Sequence, residues 1–246
     1  MVAGRQRDVE IHAGNVLQKV PQPESQKLIP RAPDFEPPLP LWNGSRSQGP
    51  LVGHVSDDSA ILWARVPVPG TYTLEVTAPG GADAKRSFYA VARESEDWCL
   101  RWEISELKAN STYHYRIARA AEILWEGRDF TFKTAPKTDD TVEVTLAFGS
   151  CANFESSSIW TRIKTEGADG VVLLGDTPYI DVTDLDRVHD AYRRFSSIPT
   201  LSATFRSIPF WGTWDDHDFG YNDGGGSFIY KDITLRKFKS FFPIAN

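Results

Sequence analysis

Hydrophobic and polar residues alternate with a period of two along much of the chain between residues 51 and 134. In one segment Tyr72, Leu74 and Val76 fall on one side of an extended backbone, and the polar residues between them fall on the other. Because successive side chains of a strand point to opposite faces, this alternation predicts strands with one buried face. The predicted strands lie at 60–66, 71–77, 86–91, 100–107, 112–118 and 130–134.

Short strands at this even spacing, separated by turn residues, predict an all-β sandwich of the fibronectin or immunoglobulin type. The immunoglobulin disulfide has no counterpart here, so the fibronectin-like form is expected. Along the strand that begins at Thr112, Tyr113 and Tyr115 are expected to face the core, whereas His114 faces solvent and is not expected to be a ligand. Three tryptophans are expected to anchor the core or a domain interface: Trp63, Trp98 and Trp102.

From residue 142 the pattern changes to short apolar segments that alternate with helical ones. Strands are predicted at 142–148, 170–176 and 209–214, and helices at 156–166, 185–196, 200–207 and 230–242. This strand–helix–strand order predicts an α/β domain with a mainly parallel sheet and helices on its faces.

Two changes in composition divide the chain. Residues 1–48 are rich in proline and lack periodicity, which predicts an extended arm or linker. The polar stretch around Pro136 is a plausible boundary between the sandwich at 49–136 and the α/β domain at 140–246.

Composition excludes several classes of function. The chain has 246 residues, 41% of them hydrophobic, so a sizeable core can be buried. A net charge of −6 argues against a nucleic-acid-binding or membrane surface. Neither a transmembrane segment nor the apolar part of a signal peptide is visible. The two cysteines, Cys99 and Cys151, cannot form a disulfide framework, although a single disulfide is possible.

The richest candidate chemistry follows the strand predicted at 209–214. A run of charged residues and a later amide stand there on a glycine-rich stretch: Asp215, Asp216, His217, Asp218 and Asn222. Adjacent carboxylates and an imidazole repel one another unless a cation or a proton is bound, which predicts a metal or acid/base site. The alternative is a helix N-cap with a solvated acidic turn, which would account for one aspartate but not for the whole run.

The two preceding strands also end in polar residues. Cys151 follows the first, Asp176 follows Gly175 at the end of the second, and Tyr179 comes three residues later. Because the carboxyl ends of parallel strands meet at one edge of a sheet, these side chains can converge with Asp216. Cys151 could be an inert buried thiol or a nucleophile, but with no histidine placed beside it a metal-bound thiolate is the favoured interpretation.

Three motifs of the chain resemble those of PhoD-like alkaline phosphatases, within the metallophosphoesterase superfamily. They are Phe148-Gly-Ser-Cys151, Leu174-Gly-Asp-Thr-Pro-Tyr179, and Thr213-Trp-Asp-Asp-His-Asp218 followed by Asn222-Asp223. The resemblance covers about residues 51–246 and includes the sandwich as the amino-terminal module. It implies metal-dependent hydrolysis of phosphate esters. The alternatives are a phosphodiesterase or phospholipase, a non-catalytic binding module and, more remotely, a cysteine-nucleophile enzyme.

The resemblance also implies a role for each motif residue. The implied metal ligands are Cys151, Asp176, Tyr179, Asp216 and Asn222. Asp176 would bridge two metal ions, and His217 would contact the phosphate and protonate it beside Asp216. The implied ions are Fe³⁺ and Ca²⁺, with other divalent metals possible; thiolate and phenolate suit a transition metal, and carboxylate and amide oxygens suit calcium.

One departure from the superfamily concerns the far end of the chain. The superfamily takes further His and Asp ligands from a second half, whereas this sequence stops at Asn246 soon after the third motif. We therefore expect the amino-terminal portion of a longer enzyme, with weak metal binding, little turnover, an unpaired sheet edge and an exposed apolar face. Relatives are typically exported, but no export signal is visible here.

Two expectations concern the helix predicted at 185–196. His189 lies in its middle and is expected to be exposed. Arg193 and Arg194 could contact phosphate, although charged residues on a helix surface are the favoured interpretation.

Overall fold

The alternating segments form two antiparallel sheets in a computed structural model, which describes residues 43–80, 85–153, 157–181 and 185–245. The predicted arm at 1–48 lies almost wholly outside these residues. Eight strands build the two sheets: β1 (Gln48–Val55), β2 (Ala60–Arg65), β3 (Gly70–Thr77), β4 (Lys85–Ala92), β5 (Cys99–Ile104), β6 (Thr112–Arg119), β7 (Glu122–Trp125) and β8 (Thr131–Lys133). One sheet has the order β1-β2-β5; in the other, β4-β3-β6 is extended by β7 and β8, which both pair with β6.

The inner faces of the two sheets share one hydrophobic core. Tyr72 and Leu74 of β3 are buried there together with Tyr113 and Tyr115 of β6, as the alternation predicts. His114 is exposed, which confirms its predicted position on the outer face.

The later segments form a parallel sheet of β9 (Leu146–Gly149), β10 (Gly170–Leu174) and β11 (Phe210–Thr213), with β10 in the centre. The helices are α1 (Ser157–Thr165), α2 (Leu185–Ser196), α3 (Pro199–Phe205), α4 (Asp216–Phe219) and α5 (Lys231–Phe241). The parallel arrangement confirms the prediction from the strand–helix–strand order. It also brings the carboxyl ends of all three strands to the same edge.

The two faces of the parallel sheet differ in their packing. Val171 and Phe210 lie in a core shared with α2, α3 and α5. On the opposite face Leu146, Phe148 and Leu174 are 51%, 73% and 48% exposed. Among the described strands, β9 pairs with β10 alone and so forms an edge of the sheet. The expected apolar face and unpaired edge are therefore both present in the described part of the chain.

The antiparallel and parallel parts are joined by specific contacts within one compact unit. The Trp63 indole Nε1 donates to the carbonyl of Ser240 at 2.7 Å, which confirms its role as an anchor. The backbone N–H of His54 donates to the carbonyl of Pro243 at 2.8 Å. Gly53 permits this approach, because a Cβ there would lie 2.0 Å from the same oxygen. The division into domains at 136–140 stays a prediction.

Among the described helices, none is long and apolar enough to cross a membrane.

Candidate metal centre

The ends of the three parallel strands approach one another closely at the carboxyl edge of the sheet. Cys151 N–H, just after β9, donates to the carbonyl of Gly175, just after β10, at 3.3 Å. Gly175 has a φ of 97°, and a Cβ there would lie 2.6 Å from Cβ of Asp215, just after β11. Only glycine adopts this positive φ without strain and has no Cβ to clash with Asp215, so Gly175 allows the three strand ends to meet.

Asp176 and Cys151 lie side by side at this edge, with Asp176 half-buried and Cys151 exposed. Both have a left-handed backbone, with φ of 52° and 60°. Non-glycine residues in this region each cost about 1–3 kcal/mol and cluster at functional sites. The Cys151 thiol donates to Oδ2 of Asp176 at 3.5 Å, whereas Oδ1 of Asp176 is buried without a hydrogen-bond partner. A buried carboxylate oxygen without a donor is unfavourable, and a cation would satisfy it.

Asp216 and His217 join Asp176 in one group. Each of the three offers a ligand atom, and these atoms all lie within 4.8 Å of one another. Metal bonds of about 2.0–2.2 Å to oxygen and nitrogen need a modest contraction from this spacing. Oδ2 of Asp216 also accepts a hydrogen bond from the backbone of Asp223. The donor set therefore fits a metal ion.

Tyr179 lies against both Cys151 and His217. Its ring centroid is 4.4 Å from that of His217. A hydrogen bond with the Cys151 thiol raises the pKa of the Tyr179 hydroxyl, and burial and the nearby Asp176 raise this pKa further. A phenolate at this position would therefore need a cation beside it.

Asp181 is a site residue that the sequence analysis missed. Its Oδ1 lies 2.5 Å from Nδ1 of His217, and the carbonyl of His217 accepts from the backbone N–H of Ile180 at 3.0 Å. Burial lowers the pKa of His217, but the hydrogen bond and charge of Asp181 outweigh it and leave the pKa raised. Because Nδ1 is occupied by Asp181, Nε2 is the nitrogen left for a substrate or a metal. The only signal in the sequence was one more acidic residue shortly after Tyr179.

The other two aspartates of the run, Asp215 and Asp218, accept hydrogen bonds from backbone N–H groups. Asp215 is the N-cap of α4, and Asp215 and Asp218 form a capping box. Asp218 is fully buried and accepts from the backbone N–H of Thr177 at 3.3 Å. Burial raises the pKa of Asp218 to about 7. The N-cap alternative is therefore correct for two of the three aspartates at 215–218, and Asp216 and His217 are the residues left for chemistry.

Asn222 lies at the rim of this group. Its side chain is exposed, and Nδ2 donates to the carboxylate of Asp223 at 3.0 Å. The backbone N–H of Asp223 donates to Oδ2 of Asp216, which holds the loop that carries Asn222 close to Asp216. A role of Asn222 as a ligand stays a prediction.

The expectations for His189 and Arg193 of α2 were wrong. His189 is half-buried rather than exposed, and its ring centroid lies 6.3 Å from that of Phe241 because α5 covers this helix. Arg193 is neither a free surface charge nor a phosphate contact of the metal centre. Its Nη2 instead lies 2.6 Å from Oδ1 of Asp97, in the antiparallel part. Arg194 pairs with Asp190 of the same helix at 3.4 Å.

Comparisons with known proteins found similarity to alkaline phosphatase D in sequence and to PhoD in structure. No family model matches the chain. Alkaline phosphatase D of Bacillus subtilis (strain 168) is 26% identical over 225 residues, covering 78% of this chain and 37% of that protein. A solved structure of PhoD superposes with a TM-score of 0.69 and 22% identity, over 84% of this chain and 48% of the other.

A purple acid phosphatase from yellow lupin seeds shares the fold more distantly. Its TM-score is 0.60 and its identity 13%, over 81% of this chain and 41% of the other. The chain thus spans less than half the length of each of these three relatives.

Proposed function

We propose that this PhoD-like chain carries part of the metal centre of a phosphate-ester hydrolase. The observation that supports it most is the convergence of the Asp176 and Asp216 carboxylates with the His217 imidazole, which have side-chain atoms within 4.8 Å of one another. The buried, unpartnered Oδ1 of Asp176 lies within this group and favours a cation. The similarity to alkaline phosphatase D and the fold shared with a purple acid phosphatase supply the reaction class.

The residues present suit two kinds of metal ion. The sulfur of Cys151 and the phenol of Tyr179 would bind Fe³⁺, and the oxygens of Asp216 and Asn222 would bind Ca²⁺. Asp176, next to both Cys151 and Asp216, would bridge the two ions. Other divalent metals are compatible with the same donors. When bound, such ions polarise phosphoryl oxygens and supply hydroxide at neutral to alkaline pH.

His217 would donate a proton to the oxygen of the leaving group. Asp181 fixes the orientation of the ring through Nδ1 and keeps the imidazole protonated to a higher pH. Proton transfer by a positioned group of this kind contributes about 10²- to 10⁴-fold to a rate. Tyr179 against the ring restricts its movement further.

The two antiparallel sheets would form a sandwich module at 49–136, and residues 140–246 would form half of the catalytic domain. Further ligands would come from the part of the relatives that this chain does not match. The same metal ligands would also support hydrolysis of phosphodiesters or phospholipids. Rates measured on monoesters, diesters and phospholipids would therefore identify the substrate class. Export from the cytoplasm stays a prediction from resemblance.

Metal content is the first test of the proposal. The chain is loaded with iron and calcium, desalted, and analysed by plasma mass spectrometry. We expect bound metal in the wild type, at least about tenfold weaker binding in Asp176→Asn, and no change in the control Glu166→Gln, which alters an exposed ion pair at the end of α1. Hydrolysis of 4-nitrophenyl phosphate that persists in both EDTA and Asp176→Asn would contradict the mechanism.

A further inference from the structure

We infer that the chain has a second anion site, in the cavity where the turn before β5 meets α2, and that its ligand is a phosphate-sized oxyanion. The cavity measures about 340 Å³ and is lined by Arg46, Arg65, Asp97, Trp98, His189 and Arg193, among others. This volume lies within the range of about 300–1,000 Å³ found for small-molecule sites. None of the predicted metal ligands lines it.

The cavity wall contains two guanidinium groups that share one carboxylate. Oδ1 of Asp97 lies 3.1 Å from Nη2 of Arg65 and 2.6 Å from Nη2 of Arg193. The side chains of Arg65 and Asp97 are only 3% and 7% exposed. The side chain of Arg193 is 24% exposed. Two cations on one anion leave a net positive charge at the cavity wall, which a bound anion would compensate.

The carboxylate of Asp97 cannot neutralise more charge, because each of its oxygens already accepts from both arginines. Arg193 uses Nε and Nη2 in these bonds. Asp190, a buried acid of α2, pairs with Arg194. Nη1 of Arg193 is therefore a donor that Asp97 does not engage, on a residue that lines the cavity.

Arg46 adds a third guanidinium at the cavity. It lies over the ring of Trp98 with 5.9 Å between Cζ and the ring centroid, and no carboxylate in the described part of the chain pairs with it. The one further acid of the lining, Glu94, is exposed. Planar guanidinium groups bind phosphate and carboxylate through paired N–H donors, which is why the ligand class is an oxyanion.

Two groups beside the cavity have lowered pKa values, chiefly because they are buried and in smaller part because cations lie near them. Burial and then the charge of Lys237 lower the pKa of His189 to about 4. Burial also lowers the pKa of Lys237; the carboxylate of Asp97 raises this pKa, and the charges of Arg236 and Arg193 lower it.

The test uses the full chain with its metal centre disabled. Asp176→Asn and Asp216→Asn are combined, EDTA is present, and inorganic phosphate is titrated calorimetrically at constant ionic strength. Phenyl phosphate in a second arm separates free phosphate from a phosphate ester, whose ring could lie against Trp98. We expect the titration with inorganic phosphate, with phenyl phosphate or with both to show binding at one site per chain.

Two variants that remove charges of opposite sign should change the affinity for phosphate in opposite directions, which makes the test specific. Arg46→Gln should weaken binding about tenfold or more, because a charge-assisted hydrogen bond is lost. Glu94→Gln should tighten binding severalfold, because a repelling charge is removed. Arg162→Gln, on an exposed arginine of α1, should leave the affinity unchanged.

Two outcomes would overturn the inference. One is the absence of binding in both arms up to about 10 mM ligand, which would make the arginine pair a purely structural link. The other is equal weakening by Arg46→Gln and Arg162→Gln, which would mean general attraction by positive charge. Because the metal centre is disabled in this protein, neither outcome bears on the proposed hydrolysis.

Discussion

The polar residues after β11 differ in what they contact, although they stand side by side in the sequence. Asp215 and Asp218 bind backbone N–H groups of α4 and of the chain after β10. Asp216 and His217 face Asp176 across the strand ends. The capping box therefore fixes the backbone on which the two reactive side chains stand.

Removal of the Asp181 charge should change His217 without unfolding the site. In EDTA-treated protein, Asp181→Asn should lower the pKa of the His217 imidazole, because the carboxylate at 2.5 Å stabilises the cation. Titration of the ring signals by NMR measures this. The control is Asp140→Asn, in an exposed turn. An unchanged pKa of His217 would mean that Asp181 does not hold the ring.

His189 should make the stability of the chain sensitive to acid. Its pKa is lowered to about 4, chiefly by burial, so the unfolded chain takes up a proton first as the pH falls below about 6.5. The stability associated with neutral His189 is therefore present at pH 7 and is lost between about pH 6.5 and 4.

His189→Gln removes this titration. Between pH 7 and pH 4.5 the variant should lose less unfolding free energy than the wild type, by on the order of 1 kcal/mol, since the ring is partly exposed and partly screened. Urea denaturation at the two pH values measures the difference. His114→Gln, on the exposed face of β6, serves as the control. Parallel losses in wild type and His189→Gln would refute the prediction.

At the scale of elements, the site depends on how closely the ends of β9, β10 and β11 approach. Gly175 is the residue that sets this distance, because its left-handed backbone and the nearby Asp215 leave no room for a side chain. The helices contribute mainly by covering the face of the sheet that carries Val171 and Phe210, with apolar residues such as Val188 and Phe205.

Gly175→Ala should destabilise the chain by about 2 kcal/mol or more, through backbone strain and a clash with Asp215. Gly149→Ala, at the end of β9, is a matched control because an added Cβ there would meet no atom within 4 Å. Unfolding in urea compares the two variants. Equal, small effects would show that the strand ends can separate at little cost.

Elements with a clear period could be predicted from the sequence. The bounds of α2 agree with the prediction at 185–196, because its apolar residues recur along one face. β9 forms only from Leu146, not from residue 142, because its partner β10 begins at Gly170, opposite Leu146. α4 has four residues, which is too short to show a helical period.

Contacts between distant segments could not be predicted. The bond between Arg193 and Asp97 joins residues 96 positions apart, and that between His217 and Asp181 joins residues 36 apart. Neither pair has a local pattern that marks it, because each depends on how whole elements pack. The convergence of Asp176 and Asp216 was predictable because parallel strands share one carboxyl edge.

At the scale of the whole molecule, one face of the parallel sheet is apolar and exposed among the residues that the structure describes. Leu146, Phe148 and Leu174 present apolar surface beside the unpaired edge of β9. Such a face tends to associate with another apolar surface, and an open edge can pair with another strand.

Charged substitutions on this face should reduce self-association. The double variant Phe148→Glu and Leu174→Glu should sediment more fully as a monomer than the wild type, because the carboxylates resist burial. Analytical ultracentrifugation over a range of concentrations measures this. Ile229→Glu, at an exposed apolar residue elsewhere, is the control. A wild type that is fully monomeric at high concentration would contradict the prediction.

The bond from Trp63 to the carbonyl of Ser240 has a consequence for biosynthesis. A ribosome makes β2 long before it makes the segment at 240–243 that covers this tryptophan and meets Gly53. The indole of Trp63 therefore stays exposed on the nascent chain until residues 240–243 have been synthesised. Chaperones can bind this exposed apolar surface during that interval.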